Sequence, residues 1–259
     1  MPRFGVCTSV DHAAVMKAGG WDFVEENVQT FLQGLAPDVQ WTNDAKAKAS
    51  PLPIPCAALL VPGSLKITGP SVDVAALTKY IGTVAARAQT CGLRKLVFGS
   101  GGARNVPEGW SRDEAREQVL AFLRMATPIA QRHSVTLVVE PLNRKECNIV
   151  NTVAEAMTYV REVDHPNVRC LVDSYHLWLE DEPLSNVKEA MPAIRHVHLA
   201  DKDGRVAPGE SGMSDYRPLF RVLKEGGYDA EVSVEAVNFD IPKDGRRVLE
   251  FLKKQWSDA

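Results

Sequence analysis

Four side chains in the second half of the chain stand at or next to the end of a short apolar run. They are Glu140 in TLVVE, Asp173 in RCLVD, His198 in IRHVH and Glu235 in EVSVE. An apolar run of four or five residues that stops on a polar group is typical of a buried strand reaching the rim of a sheet. Taken singly, each residue is better explained as a solvated charge at a strand end. Four in succession, separated by segments of helical pattern, favour a barrel that directs three carboxylates and one imidazole at one point.

Such a set of donors predicts a metal site. Carboxylate and imidazole ligands suit Mn²⁺, Mg²⁺ or Co²⁺ better than a metal that prefers thiolates, and they also permit Zn²⁺. The carboxyl ends of barrel strands are where barrel enzymes carry their active sites. The sequence therefore predicts one divalent metal ion bound by Glu140, Asp173, His198 and Glu235.

The elements that must position these residues follow from the alternation of short apolar runs with longer amphipathic segments. The predicted strands are Phe4–Cys7, Phe23–Glu25, Cys56–Leu60, Lys95–Phe98, Thr136–Val139, Arg169–Val172, His196–His198 and Val232–Val234. The clearest helix is predicted over Ser111–Arg132, opening with a capping box of Ser111 and Glu114, and Pro128 is expected to kink it or end its regular part. Eight such units predict a single (β/α)₈ TIM barrel over residues 1–259. An open doubly wound sheet is the alternative, but no G-x-G-x-x-G motif follows the first strand.

Composition narrows the class of protein. The 259 residues carry 30 Lys and Arg against 33 Asp and Glu, a formal charge of −3, which argues against a nucleic-acid partner. No stretch is long and apolar enough to predict a membrane span or a signal peptide. The five cysteines are scattered without framework spacing, so reduced thiols and a cytoplasmic location are expected.

More polar side chains lie in the loops that leave the same strands. His176 follows Asp173 by three residues and is a candidate partner for a substrate hydroxyl, although a packing or capping role is the alternative. Glu146 follows Glu140 by six residues, and Arg205 lies in the loop after His198. Arg205 is suited to clamp an anionic or enediolate oxygen, and both residues are otherwise exposed charges. Trp110 is a candidate apolar wall over a substrate ring, and Lys66 is a candidate contact for a substrate anion. Loop packing and a solvated lysine are the respective alternatives.

Three further features have either a functional or a purely structural interpretation. The stretch GSGGAR over residues 99–104 is suited to cradle a phosphate through backbone N–H groups, or to form a flexible turn at the barrel mouth. Glu25 and Glu26 end the second strand, and alternation does not say which one faces the interior. His196 shares the interior side of its strand with His198 and is expected to be a packed group behind the site.

Taken together, the motifs resemble those of the xylose-isomerase-like sugar isomerases and epimerases, and most of all the D-tagatose 3-epimerase and hydroxypyruvate isomerase branch. The resemblance covers about residues 135–240 and rests on EPLNR-x-E, LVD-x-x-H, HVHL with a downstream Arg and PGE, and VSVEA. It implies a (β/α)₈ barrel whose metal ligands are Glu140, Asp173, His198 and Glu235. It also implies that Glu146, His176 and Arg205 contact substrate, although the loop between His198 and Pro208 is about one residue longer than the family pattern.

The implied function is a divalent-metal-dependent isomerase or epimerase of a ketose or related small keto-sugar. The reaction would pass through a metal-bound enediolate with Glu140 and Glu235 as the acid/base pair. A keto-polyol dehydratase of the inosose type would use the same site. A metal phosphodiesterase like endonuclease IV would need extra His and Asp ligands at strand ends two to four, and a non-catalytic sugar-binding barrel would not need both glutamates. The expected partner is a small-molecule sugar, and family habit implies a homodimer or homotetramer.

Overall fold

Eight parallel strands close into a barrel in chain order in the computed structural model, which describes all of residues 1–259. Each strand pairs with its neighbours in the sequence, and β1 closes the ring on β8. The strands are β1 Arg3–Cys7, β2 Phe23–Asn27, β3 Cys56–Ala58, β4 Lys95–Phe98, β5 Thr136–Val139, β6 Val168–Asp173, β7 Ile194–Leu199 and β8 Glu231–Val234. The predicted single TIM barrel is thereby confirmed.

Helices connect the strands and surround the barrel. They are α1 Ala13–Gly19, α2 Asn43–Ala49, α3 Val74–Thr90, α4 Gly101–Arg104, α5 Arg112–Arg132, α6 Val153–Val163, α7 Ser174–Leu179, α8 Leu184–Ala190, α9 Arg217–Glu225 and α10 Ile241–Ser257. Short 3₁₀ turns at Val10–His12, Asp38–Gln40 and Met191–Ala193 and one π-helical turn at Val28–Leu32 complete the connections. None of the helices combines the length and the apolar character needed to cross a membrane.

The predicted strands match the observed ones with shifts at their ends. The third strand stops at Ala58, two residues earlier than predicted, because Leu59 leaves the extended conformation with φ of 61°. The predicted start of α5 is confirmed, since the Ser111 hydroxyl accepts the Glu114 N–H at 3.3 Å. Of the two alternatives for Pro128, an end to the regular helix is excluded, since α5 continues to Arg132 with Ile129 and Ala130 buried after the proline; a kink at Pro128 stays a prediction.

The interior of the barrel is divided between apolar and polar side chains. Successive residues of a strand face opposite sides, so every second residue points inward. Ala58, Val97, Val138 and Leu171 on β3 to β6 form a small apolar cluster separate from the main core. On the other side of the barrel, buried Glu25, Cys56, His196, His198 and Ser233 contact one another. These five residues are called the polar column. Barrels usually fill such interior positions with branched apolar residues, so a polar set there indicates a chemical role.

Candidate metal and substrate site at the barrel mouth

The four side chains predicted as metal ligands meet at the carboxyl end of the barrel. The His198 Nδ1 atom lies 3.0 Å from Glu140 Oε1, 3.4 Å from Glu235 Oε2 and 4.0 Å from Asp173 Oδ2. One ligand atom from each residue lies within 4.8 Å of all the others. Glu140, Asp173 and His198 are buried, and the Glu235 side chain is 21% exposed. The structure therefore brings all four together at the predicted place.

Local structure explains how two of these carboxylates are aimed. Asp173 ends β6 and caps α7: its Oδ1 accepts the backbone N–H groups of Tyr175 and His176 at 2.7 and 3.2 Å, which leaves Oδ2 to face the cluster. Glu140 follows β5, and its carboxylate reaches across the end of β4. A Cβ atom on Gly99 would lie 1.8 Å from Glu140 Oε2, so only glycine leaves room for that carboxylate.

The donor set fits a divalent ion. Metal–oxygen and metal–nitrogen bonds of about 2.1 Å place ligand atoms at most about 4.2 Å apart around one ion. The observed separations, all under 4.8 Å, are close to that limit, so modest side-chain movements bring the four atoms to one centre. Three hard oxygen ligands and one imidazole nitrogen match the preferences of Mn²⁺, Mg²⁺ and Co²⁺.

Buried carboxylates give the mouth a strongly negative character. Burial disfavours a charged imidazole, yet the negative groups around His198, Glu25 first, raise its pKa well above the ordinary value. Burial raises the pKa of Glu140, and the carboxylates of Glu235 and Asp173 add to the rise against the opposing effect of His198. Burial also opposes ionisation of Glu235, but His198 and Arg205 lower its pKa to about 2. The same potential that holds a proton on His198 attracts a metal cation.

Behind the cluster lies a residue that the sequence left undecided. Glu25, not Glu26, faces the interior, and it is fully buried. Its Oε1 lies 3.0 Å from His198 Nε2 and its Oε2 lies 2.6 Å from His196 Nε2. His196 contacts none of the four predicted ligands through its ring nitrogens, in agreement with the expectation of a packed group behind the site. Which of the two glutamates faces the interior is set by the register between β1 and β2, in which Glu25 pairs with Cys7. No local sequence motif indicates that register.

His176 is buried beside the cluster with one ring nitrogen free. Its Nδ1 accepts the backbone N–H of Asn143 at 3.1 Å and the Asn143 side-chain amide at 2.8 Å. Two donors on Nδ1 assign the proton to Nε2. That Nε2–H has no hydrogen-bond partner, and it lies 3.9 Å from Asp173 Oδ2. An unpaired buried donor next to the carboxylate of Asp173, a predicted metal ligand, is well placed to meet a substrate hydroxyl.

Arg205 joins the site from the loop after β7. Its Nη2 lies 2.6 Å from Glu235 Oε2, and its Nη1 lies 3.4 Å from both carboxylate oxygens of Glu146. The guanidinium also stacks 5.0 Å from the Tyr175 ring centroid. The backbone at Arg205 is left-handed, with φ of 52°, a conformation that a non-glycine residue seldom adopts. The longer loop after His198 thus still delivers the arginine to the predicted position.

Two adjoining cavities open at the mouth. The first, called the carboxylate cavity, has a volume of about 510 Å³ and is lined by Leu59, Gly99, Gly101, Gly102, Glu140, Leu142, Glu146, Arg205, Glu235, Ala236 and Val237. The second, called the side cavity, has a volume of about 420 Å³ and is lined mainly by residues of β1, β2 and the loops that follow them. Leu59 and Glu235 line both. The carboxylate cavity has room for a small sugar next to the predicted acid/base pair.

The structure does not bring the other two predicted substrate contacts to these cavities. Trp110 packs half-buried against the main core in the loop before α5, and it lines neither cavity. The exposed Lys66 donates to the Gly102 carbonyl at 2.8 Å and so braces the loop after β4. In GSGGAR, the Arg104 side chain is buried and donates to the Phe98 and Glu140 carbonyls, at 2.7 and 2.6 Å. This stretch supports the Glu140 backbone from behind.

Curated proteins of similar sequence include sugar epimerases. Among curated relatives, 3-dehydro-D-guloside 4-epimerase of Escherichia coli (strain K12) is 34% identical over 126 residues, which is 48% of this chain and 47% of that protein. Ketose 3-epimerase of Arthrobacter globiformis is 29% identical over 126 residues, 48% of this chain and 43% of that protein. The chain spans about half the length of the curated relatives it matches.

Solved structures share the fold over almost the full length. The crystal structure of 3-keto-D-glucoside 4-epimerase from E. coli superposes with a TM-score of 0.81 at 23% identity, covering 98% of this chain and 100% of that one. D-allulose 3-epimerase from Methylomonas sp., solved in complex with D-allulose, gives a TM-score of 0.83 at 21% identity, covering 98% and 97%. The sequence matches the family described as xylose isomerase-like TIM barrel over residues 13–255. With this match over nearly all of its length and the closed eight-stranded barrel, the chain belongs to the xylose isomerase-like TIM barrel family.

Proposed function

We propose that this protein is a divalent-metal-dependent isomerase or epimerase of a ketose or related small keto-sugar. The observation that carries the proposal is the convergence of Glu140, Asp173, His198 and Glu235 within 4.8 Å of one another at the barrel mouth. The two members with the acid/base role, Glu140 and Glu235, also line one cavity large enough for a sugar. Two similar proteins, a 3-dehydro-D-guloside 4-epimerase and a ketose 3-epimerase, support the same reaction class.

The four converging residues would hold the ion, with Mn²⁺, Mg²⁺ or Co²⁺ favoured by their donor atoms. When bound, a divalent ion polarises a substrate carbonyl and thereby acidifies the hydrogen on the neighbouring carbon. Removal of that hydrogen needs a base within reach, and its return needs an acid.

Glu140 and Glu235 supply these two groups in the proposal. One carboxylate takes the proton from the carbon beside the carbonyl, which leaves an enediolate, and the other carboxylic acid returns a proton. A proton delivered to the opposite face of the same carbon gives an epimer. A proton delivered to the other carbon of the enediolate gives the aldose–ketose isomer.

Three further side chains would orient the sugar. The Arg205 guanidinium, already in the carboxylate cavity, would donate to a developing enediolate oxygen while it neutralises Glu235 and Glu146. The free His176 Nε2–H would donate to a substrate oxygen. Glu146, more exposed at the cavity edge, would accept from a sugar hydroxyl.

Solvent-deuterium exchange tests the proposal directly. Purified protein with added Mn²⁺ is incubated in D₂O with a panel of ketoses, hydroxypyruvate and a keto-inositol, and the carbon-bound hydrogens are followed by NMR before and after chelation. Metal-dependent exchange of a hydrogen beside the carbonyl, with epimer or isomer appearing, is the expected result. Exchange followed by loss of water would instead identify a keto-polyol dehydratase at the same residues. Absence of exchange with every candidate would overturn the reaction class.

A nuclease of the endonuclease-IV kind is disfavoured by the strand ends. β2, β3 and β4 end at Asn27, Ala58 and Phe98, so these positions do not supply the additional His and Asp ligands that a multi-metal phosphodiesterase needs. The charge of −3 also gives no basic surface signature for a nucleic acid.

A further inference from the structure

Glu25 occupies the centre of the polar column inside the barrel, one layer below the mouth. We propose that Glu25 is a positioning residue: it fixes the tautomer and ring orientation of His198 so that Nδ1 is free to bind the metal ion. The inference rests on the proposed function, since it assigns a role toward the ion that His198 would hold. It adds a fifth residue, on β2, to a site whose four ligands come from the ends of β5 to β8.

The hydrogen bonds around Glu25 define the tautomer. An ionised carboxylate only accepts hydrogen bonds, so the His198 Nε2 atom 3.0 Å from Glu25 Oε1 must carry a hydrogen. With the Nε2 hydrogen held by Glu25, Nδ1, which faces Glu140, Asp173 and Glu235, is the ring nitrogen that would give up its hydrogen and offer its lone pair to the ion. The opposite tautomer would set an Nε2 lone pair against a carboxylate oxygen and would block Nδ1 with a hydrogen. A carboxylate behind a ligand histidine is the usual device for this purpose.

Glu25 is itself held in place by fixed donors. Its Oε2 accepts from the Ser233 hydroxyl at 2.5 Å and faces His196 Nε2 at 2.6 Å. Lys95, whose Nζ lies 3.4 Å from His196 Nδ1, can only donate, so it assigns the remaining hydrogen of His196 to Nε2. Both imidazoles thus donate to one fully buried carboxylate. The His196 ring is in this arrangement a support for Glu25, which explains why a second histidine lies in the interior without reaching the metal cluster.

Replacement of Glu25 by Gln tests this role with little change of shape. An amide offers one acceptor oxygen and one NH₂ donor, so it cannot accept from both imidazoles. One histidine would face the NH₂ group and would have to move its hydrogen to Nδ1 or turn away. Either response disturbs His198 directly or through His196. Loss of such an outer partner weakens metal binding by about 10- to 100-fold in proteins where it has been replaced.

Mn²⁺ affinity is the readout, measured from the electron paramagnetic resonance signal of free Mn²⁺ without any substrate. The matched control is Glu182→Gln, another buried carboxylate, which accepts the Val153 and Ala154 N–H groups at the start of α6 and the Asn186 side-chain amide, and which hydrogen-bonds to none of the four proposed ligands. We expect Glu25→Gln to bind Mn²⁺ about 10- to 100-fold more weakly than the unchanged protein. Glu182→Gln should lower the unfolding temperature and leave Mn²⁺ affinity unchanged.

The outcomes separate this inference from the proposed function. Wild-type Mn²⁺ affinity in a folded Glu25→Gln protein would overturn the positioning role and leave the metal site standing. Failure of the unchanged protein to bind Mn²⁺ would overturn the metal site itself. If Glu25→Gln does not fold, ¹⁵N NMR of histidine side chains in the Zn²⁺-loaded unchanged protein decides: an Nε2–H on His198 is expected, and an Nδ1–H there would refute the inference.

Discussion

The two ends of the barrel are built by the same alternation of side chains along the strands, yet they carry opposite charge. At the mouth, three carboxylates and one imidazole crowd within 4.8 Å. At the floor, where the strands begin, a cavity of about 270 Å³ is lined by Arg3, Arg94, Lys95, Arg169 and Arg195 around a single carboxylate, Glu231. The buried column from His198 through Glu25, His196 and Lys95 to Glu231 connects the two ends.

The two ends differ in whether their buried charges are neutralised by a buried charge of opposite sign. At the floor, the buried pair is one cation with one anion, Lys95 with Glu231, and the surplus arginines reach solvent; the Arg3 and Arg94 side chains are 47% and 64% exposed. At the mouth, the surplus carboxylates are themselves buried, so water does not offset their repulsion. A buried surplus of one sign indicates a site for a counter-ion, whereas a buried balanced pair indicates a structural contact. Substitutions at both ends test this distinction.

The largest effect is expected at the mouth, for Glu140→Gln and Glu235→Gln tested separately. Each change removes one of the two proposed proton-transfer groups, and we expect turnover to fall by about 10²- to 10⁴-fold in each variant. The measurement is deuterium exchange into the substrate found with the unchanged protein, with circular dichroism to verify the fold. Turnover at the unchanged rate in either variant would remove that residue from the pair.

At the floor, Glu231→Gln should destabilise the protein and spare the site. The change leaves Lys95 buried without its anion, which we expect to cost about 3 kcal/mol in the free energy of unfolding. The double change Lys95→Met with Glu231→Leu should recover much of the loss, because it removes both charges. Denaturant unfolding measures the stability and Mn²⁺ titration measures the site. A loss of Mn²⁺ affinity as large as the loss of stability would contradict the separation of the two ends.

The same pair predicts the direction of a pH dependence. Burial opposes ionisation of Glu231, but Lys95 and Arg3 hold its pKa below the ordinary value. A carboxylate with a lowered pKa stabilises the folded state above its unfolded pKa of about 4.3, and this contribution disappears as the pH falls through the folded pKa. The difference in unfolding free energy between the unchanged protein and Glu231→Gln should therefore be constant near neutral pH and shrink below pH of about 4. A difference that grows in acid would refute the assignment.

A smaller effect is expected for substitutions of His176, at the mouth. We expect His176→Phe to lower kcat/KM by about 10- to 100-fold, since it removes the buried Nε2–H that is proposed to donate to the substrate. His176→Gln is the matched variant: its carbonyl oxygen can accept from Asn143 while its NH₂ replaces the Nε2–H, so part of the activity should return. Steady-state kinetics on the substrate identified by exchange make the comparison. Equal losses in both variants would indicate a packing role.

Sequence reasoning located the four side chains that converge at the mouth because the signal is local: a polar residue at the end of an apolar run must emerge at the rim, and Glu140, Asp173, His198 and Glu235 all do so. Glu25 could not be chosen over Glu26, since only pairing with β1 and β3 sets the phase of that strand. Trp110 and Lys66 fail for a related reason, because the path of a loop depends on tertiary contacts that no local pattern encodes.

The smallest effect is expected for Arg195→Gln at the floor. Arg195 is exposed and, like Arg169, forms no ion pair; each guanidinium reaches only backbone carbonyls. Partial burial lowers the pKa of Arg169, and the charge of Arg195 lowers it further, so removal of Arg195 relieves a repulsion that solvent already weakens. We expect the free energy of unfolding to change by less than about 0.5 kcal/mol, toward greater stability, with Mn²⁺ affinity unaltered. Denaturant unfolding at low and high salt measures it, and the gain should vanish at high salt. A destabilisation of several kcal/mol would mean that the surplus charge of the floor, like that of the mouth, is balanced by a bound counter-ion, and the contrast between the two ends would fail.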